Sequence, residues 1–154
     1  MTLIKKLPVL ELQEAVYGLL EAGQTAQVYR DVPIEAVSPY ITIGLCTVKP
    51  LDTKNNMLWN CSVAIDIWST GAGTGEIIEM DEGIATEERH IPEQARKVFE
   101  AVNDINYLIS KYGQSITVDG YKVLDAEVEQ SETYPTSDFG YHATISVRYQ
   151  LTDK

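Results

Sequence analysis

Histidine is scarce in this 154-residue chain, which has only His90 and His142, and cysteine is limited to Cys46 and Cys61. Neither histidine sits in an HExxH pattern, and the cysteines form no CxxC and have no histidine at zinc spacing, so no metal centre is written locally in the sequence. The cysteines read as two buried thiols, because disulfides are rare in proteins made in the cytosol. No serine lies in a GxSxG elbow, and nothing else marks a nucleophile. Long apolar runs are missing too: the opening MTLIKKLPVLELQEAV is interrupted by Pro8 and Glu11 well short of a signal core or a membrane span. These absences give an expectation of no catalytic residue, no metal, no cofactor and no membrane, with synthesis in the cytoplasm.

Basic residues are the other shortage. Twelve Lys and Arg stand against 23 Asp and Glu, a net charge of −11. Such a surface does not grip a phosphate backbone. It is compatible with DNA that slides past without sticking.

What is present is an ordinary globular composition, 44% hydrophobic and 23% charged, without repeats, low-complexity tracts or a dividing linker. Residues 1–154 therefore read as one domain. Leu12, Val16, Leu19 and Leu20 recur at helical spacing and predict a first helix over about Val9 to Ala22, with Gly23 as a left-handed stop. AQVYRDVP and PYITIGLCTVKP predict strands, the second with Ile41, Ile43 and Leu45 on one face and Thr42, Gly44 and Cys46 on the other. Alternation is clearest in WNCSVAIDIWST: Trp59, Cys61, Val63, Ile65 and Ile67 share one face, while Asn60, Ser62, Ala64, Asp66 and Trp68 share the other, within a strand expected from about Met57 to Ser69.

A second helix is marked by Ala95, Val98, Phe99, Val102, Ile105 and Ile109 in one stripe, with Pro92 suited to its first position, Lys111 near its end and Gly113 as its stop. Two long strands follow, YKVLDAEVEQSETY and YHATISVRYQLTD. The last carries Ala143, Ile145, Val147, Tyr149 and Leu151 against Thr144, Ser146, Arg148 and Gln150. The expected fold class is α+β: a mostly antiparallel sheet with two amphipathic helices packed on one face. If the third and last strands are antiparallel neighbours, Asp66 and Arg148 share the polar face as a cross-strand pair.

The loops hold the remaining candidates. GAGTG, with Gly71 and Gly73, follows a strand but lacks the GK[ST] of a phosphate loop. The segment of about 71–91, with Glu79 and Glu88 among its acids, lacks calcium-loop order; it reads either as a solvated run or as an acidic contact surface. Trp68 is a large aromatic ending a small polar face, which asks for a second partner, and its replacement by alanine is expected to disturb assembly more than folding. With Tyr134, Asp138 and Phe139 of the YPTSDFG loop, these residues form the expected contact surface for a partner or a second copy.

Several phrases give the chain a relation to a known family. LQEAVYGLLEAG leads to VYRDVPIEAV, residues 28–37, then PYITIG at 39–44, IDIWS at 65–69, a second helix, and RYQ at 148–150. The chain thereby resembles the small tail-completion or tail-terminator proteins of long-tailed bacteriophages, from which it departs by the longer acidic segment around 71–91. The resemblance implies a virion protein that forms a ring, typically a hexamer, at the head-proximal end of the tail tube. Such a ring halts tube polymerisation and joins the tail to a head-completion or neck protein, with DNA only passing through. It also implies location in the tail neck and in the host cytoplasm during assembly. Two other readings stand beside it: another neck or tube subunit, and a small α+β ligand-binding domain.

Overall fold

The computed structural model describes residues 7–52, 57–69, 93–136 and 140–153. The elements run α1 (Val9–Gly23), β1 (Gln27–Tyr29), β2 (Tyr40–Asp52), β3 (Met57–Ser69), α2 (Glu93–Tyr112), β4 (Tyr121–Pro135) and β5 (Tyr141–Asp153). The five strands make one sheet in the order β1-β2-β3-β5-β4, antiparallel throughout except for β1 beside β2. Both helices pack on one face of it, so the α+β reading holds. The AQVYRDVP strand is shorter than expected, with only Gln27–Tyr29 pairing.

The core follows from the two cleanest alternations in the sequence. β3 and β5 are neighbours, and their apolar faces meet pair by pair: Trp59 with Leu151, Cys61 with Tyr149, Val63 with Val147, Ile65 with Ile145 and Ile67 with Ala143. All ten side chains are buried. Leu12, Val16 and Leu20 of α1 and Ala95, Val98, Ala101, Ile105, Leu108 and Ile109 of α2 cover them. Each fully buried Val, Leu or Ile contributes about 1.5–3 kcal/mol before ordering entropy is subtracted, so these rows dominate the fold.

Two helix-ending glycines act differently from the left-handed stops expected of them. Among the described residues only Gly120 has a positive φ. Gly23 is small because α2 passes over it: a Cβ there would lie 2.6 Å from Leu108 Cδ2. Gly113 is small because a Cβ would meet Ala126 Cβ at 3.1 Å. The end of α1 is capped by a side chain instead, with Gln24 Nε2 donating to the Leu20 and Ala26 carbonyls at 2.9 and 2.7 Å.

Three β-bulges decide which side chains reach the helix-free face. In β2, Gly44 and Leu45 together oppose Ala64, so the alternation reverses. Leu45, expected on the apolar face with Ile41 and Ile43, is consequently 75% exposed, and Cys46 takes the core side. In β4, register shifts at Leu124 and at Glu129 bring Asp125 opposite Gln150 and Tyr134 opposite His142. Both cysteines are free, and burial pushes the Cys61 thiol up to about 12, with nearby Cys46 adding to the shift.

The expected pair of Asp66 with Arg148 is not formed. The two do share the helix-free face, but Asp66 lies opposite Thr144 whereas Arg148 lies opposite Ser62. Four residues of extended chain separate them, roughly 13 Å at strand rise. Arg148 instead bridges Asp125 at 3.1 Å and Glu127 at 3.0 Å on β4, contacts that the Leu124 bulge permits. A double-mutant cycle on stability between Asp66 and Arg148 should therefore give coupling below about 0.5 kcal/mol, as for distant sites. The Asp125–Arg148 cycle should exceed it; equal coupling in the two cycles would contradict this register.

Candidate functional site

The helix-free face ends in a cluster built from four strands. Trp68, one residue before the end of β3, is half-buried and stacks on His142 of β5, ring centroids 3.7 Å apart and planes 8° from parallel. Its Nε1–H donates to Thr42 Oγ1 on β2 at 3.1 Å. His142 Nε2 lies 3.0 Å from Asp66 Oδ1, which also accepts the Thr144 hydroxyl at 2.9 Å. His142 Nδ1 lies 2.7 Å from Tyr134 Oη on β4. Asp66 and His142 are largely covered, with 18% and 12% of their side chains exposed, whereas Tyr134 is 44% exposed.

Gly44 completes the corner. A Cβ at this position would lie 2.5 Å from Asp66 Oδ2, so the glycine of the β2 bulge leaves the room that the carboxylate occupies. The cluster is thus an aromatic stack locked by charge-assisted hydrogen bonds, with one phenol facing solvent. β3 ends here at Ser69, and β4 and β5 pair here through Tyr134 with His142 and Pro135 with Tyr141.

Of the sequence candidates, the structure brings together Trp68, Tyr134 and Asp66, and sets Arg148 apart with Asp125 and Glu127. Gly71, Gly73, Glu79, Glu88, Asp138 and Phe139 lie outside the described residues, as do Pro92, His90 and the acidic segment itself. The sequence reading missed His142, Thr42 and Thr144. A signal for two of them existed: the polar alternation Arg148, Ser146, Thr144 continues to His142 on the same face, and antiparallel pairing of β3 with β5 sets that face against Asp66 and Trp68. The partner that Trp68 asks for is therefore in its own sheet.

A second surface also stands out. Val32, Ile34 and Val37, between β1 and β2, are exposed, and Ile34 is bare to solvent. Exposed apolar residues grouped in this way are typical of contact surfaces. Among the described residues no group of three or more His, Cys, Asp or Glu side chains is placed to hold a metal, and no helix is long and apolar enough to cross a membrane.

The profile of the family described as tail completion protein gp17 matches residues 9–86, half of the chain, from the start of α1 through β3 and beyond. The chain belongs to that family. It is accordingly a structural protein of a phage-type virion tail. No curated protein matches it. Among solved structures, a chain from the virion of a native gene transfer agent particle aligns with TM-score 0.61 at 14% identity, covering 93% of this chain and 95% of the other. At that identity the likeness is one of fold. For this tail-completion protein, the matched region holds Trp68, Asp66, Thr42 and Gly44, whereas Tyr134 and His142 lie beyond it.

Proposed function

We propose that this tail-completion protein closes into a ring, a hexamer by its family resemblance, at the head-proximal end of the tail tube. There it stops tube polymerisation and offers a docking surface to a head-completion or neck protein. The observation that carries this reading is membership of the tail-completion family over residues 9–86. A ring needs one heterologous contact repeated around a closed rotation, hence two different surfaces on one chain. The Tyr134 corner and the exposed Val32–Ile34–Val37 group supply two such surfaces. Six copies of a chain with net charge −11 make a strongly acidic ring, through which DNA passes without being held. The acidic segment around 71–91, with Glu79 and Glu88, and the residues Asp138 and Phe139 are proposed as further contacts, and the host cytoplasm as the place of assembly before the protein takes its position in the tail neck.

Sedimentation velocity of the purified chain tests this reading. Rings are expected as a concentration-dependent species of about six subunits, their formation promoted by tail-tube subunits. A strict monomer, even with tube subunits present, contradicts it, and filaments of indefinite length from this chain alone make it a tube subunit instead.

A further inference from the structure

The partners of His142 fix which ring nitrogen carries the proton. Asp66 Oδ1 already accepts the Thr144 hydroxyl and is an acceptor for Nε2 as well, so Nε2 is the donor of the neutral ring. The lone pair is then on Nδ1, and the Tyr134 hydroxyl 2.7 Å away donates to it. A second proton on the imidazole reverses that bond: Nδ1–H becomes a donor, and the phenol, whose hydroxyl rotates freely, turns to accept. We propose that His142 is a proton-operated switch, which turns the Tyr134 hydroxyl from a donor into the cluster to a donor toward solvent while the strands stay in place.

The surroundings suit both states. From β3 the ring meets the Asp66 carboxylate and the face of the Trp68 indole. From β4 it meets Tyr134, whose ring lies edge-on at 5.1 Å, with Glu132 two cross-strand pairs along, opposite Thr144. β2 contributes Thr42 and Gly44, which carry no charge. Arg148, the cation of this face on β5, is held by Asp125 and Glu127 at a distance from the corner. An imidazolium here keeps its hydrogen bond to the Asp66 carboxylate and lies against the Trp68 indole face. A neutral imidazole satisfies every hydrogen bond as it stands.

The consequence for assembly rests on the proposed function. Tyr134 is the exposed member of the cluster, and an outward phenol proton fits a carbonyl or carboxylate acceptor on a second copy of this acidic chain. One added hydrogen bond of ordinary net strength tightens association roughly two- to tenfold. Acidification that protonates His142 should therefore strengthen ring formation by that factor.

Nitrogen-15 NMR of the histidine ring in the His90→Gln variant, where His142 is the sole histidine, tests the switch. The expected result is a neutral ring protonated on Nε2, which on acidification takes a second proton on Nδ1, a change that the Trp68 Nε1–H resonance follows. Tyr134→Phe should shift Nδ1 while leaving Nε2 in place. A neutral ring protonated on Nδ1, or a ring that takes no second proton while the chain stays folded, overturns the proposal. In sedimentation, Tyr134→Phe should abolish the pH dependence of association; an unchanged pH response in that variant also overturns it. A chain whose His142 changes protonation as described but which stays monomeric in both states supports the switch and overturns the ring reading instead.

Discussion

Replacing Trp68 with alanine should cost about 2–4 kcal/mol of stability. It removes a half-buried indole, its stack on His142 and its hydrogen bond to Thr42. For a chain of this size the melting temperature should fall by roughly 5–15 °C. The sequence alone makes Trp68 a contact residue whose loss disturbs assembly more than folding, but the stack and the Thr42 bond add a folding term that alternation cannot reveal. Trp68→Phe should retain the stack, lose only the Nε1–H bond, and recover more than half of the loss. Urea denaturation of the three proteins checks this. A Trp68→Ala variant as stable as the parent would show that the indole contributes nothing within the chain, and its role would then be wholly intermolecular.

Replacing Tyr149 with phenylalanine should have the opposite sign. Tyr149 of β5 is fully buried, its hydroxyl near Gly113 and without a hydrogen-bond partner among the described residues. A buried hydroxyl without a partner costs about 1–3 kcal/mol, so removing that oxygen should stabilise the fold by about that amount. Alkaline pH should enlarge the gain. Burial holds the Tyr149 phenol well above the ordinary tyrosine range, so the unfolded chain loses its proton first. The parent then loses stability as pH rises above about 10, and the phenylalanine variant is spared that contribution. Urea midpoints at pH 7 and pH 10.5 measure both effects. A less stable Tyr149→Phe at neutral pH would mean that the hydroxyl is satisfied after all.

The fold was legible where alternation was uninterrupted. Trp59 to Ile67 and Ala143 to Leu151 declare their buried faces by period two alone, and the antiparallel pairing of the two strands follows from matching lengths and faces. The stripe of α2 was equally plain. The parts that were not legible depend on events that interrupt a period. The Gly44–Leu45 bulge reverses β2, placing Leu45 in solvent and Cys46 on the core. The bulges at Leu124 and Glu129 carry Asp125 to Arg148 and Tyr134 to His142, and no local sequence pattern announces either shift.

The candidate site was accordingly half visible. Trp68, Tyr134 and Asp66 stand out by residue type and position, but their partners are set by register across four strands. Asp66 and Arg148 look like a pair on a diagram of one face; only the pairing of Asp66 with Thr144 and of Ser62 with Arg148 separates them. Gly23 and Gly113 show the same limit. Their position after helical stripes suggests a turn, whereas the reason for a missing Cβ lies in Leu108 and Ala126, far away in sequence.

The most direct measurement of the central claim is an electron micrograph of tail tubes assembled in the presence of a gold-labelled form of this tail-completion protein. The account predicts label in a single ring at one end of each tube, and tubes that no longer grow from that end. Label along the length of the tube, or tubes that elongate past the label, would contradict it.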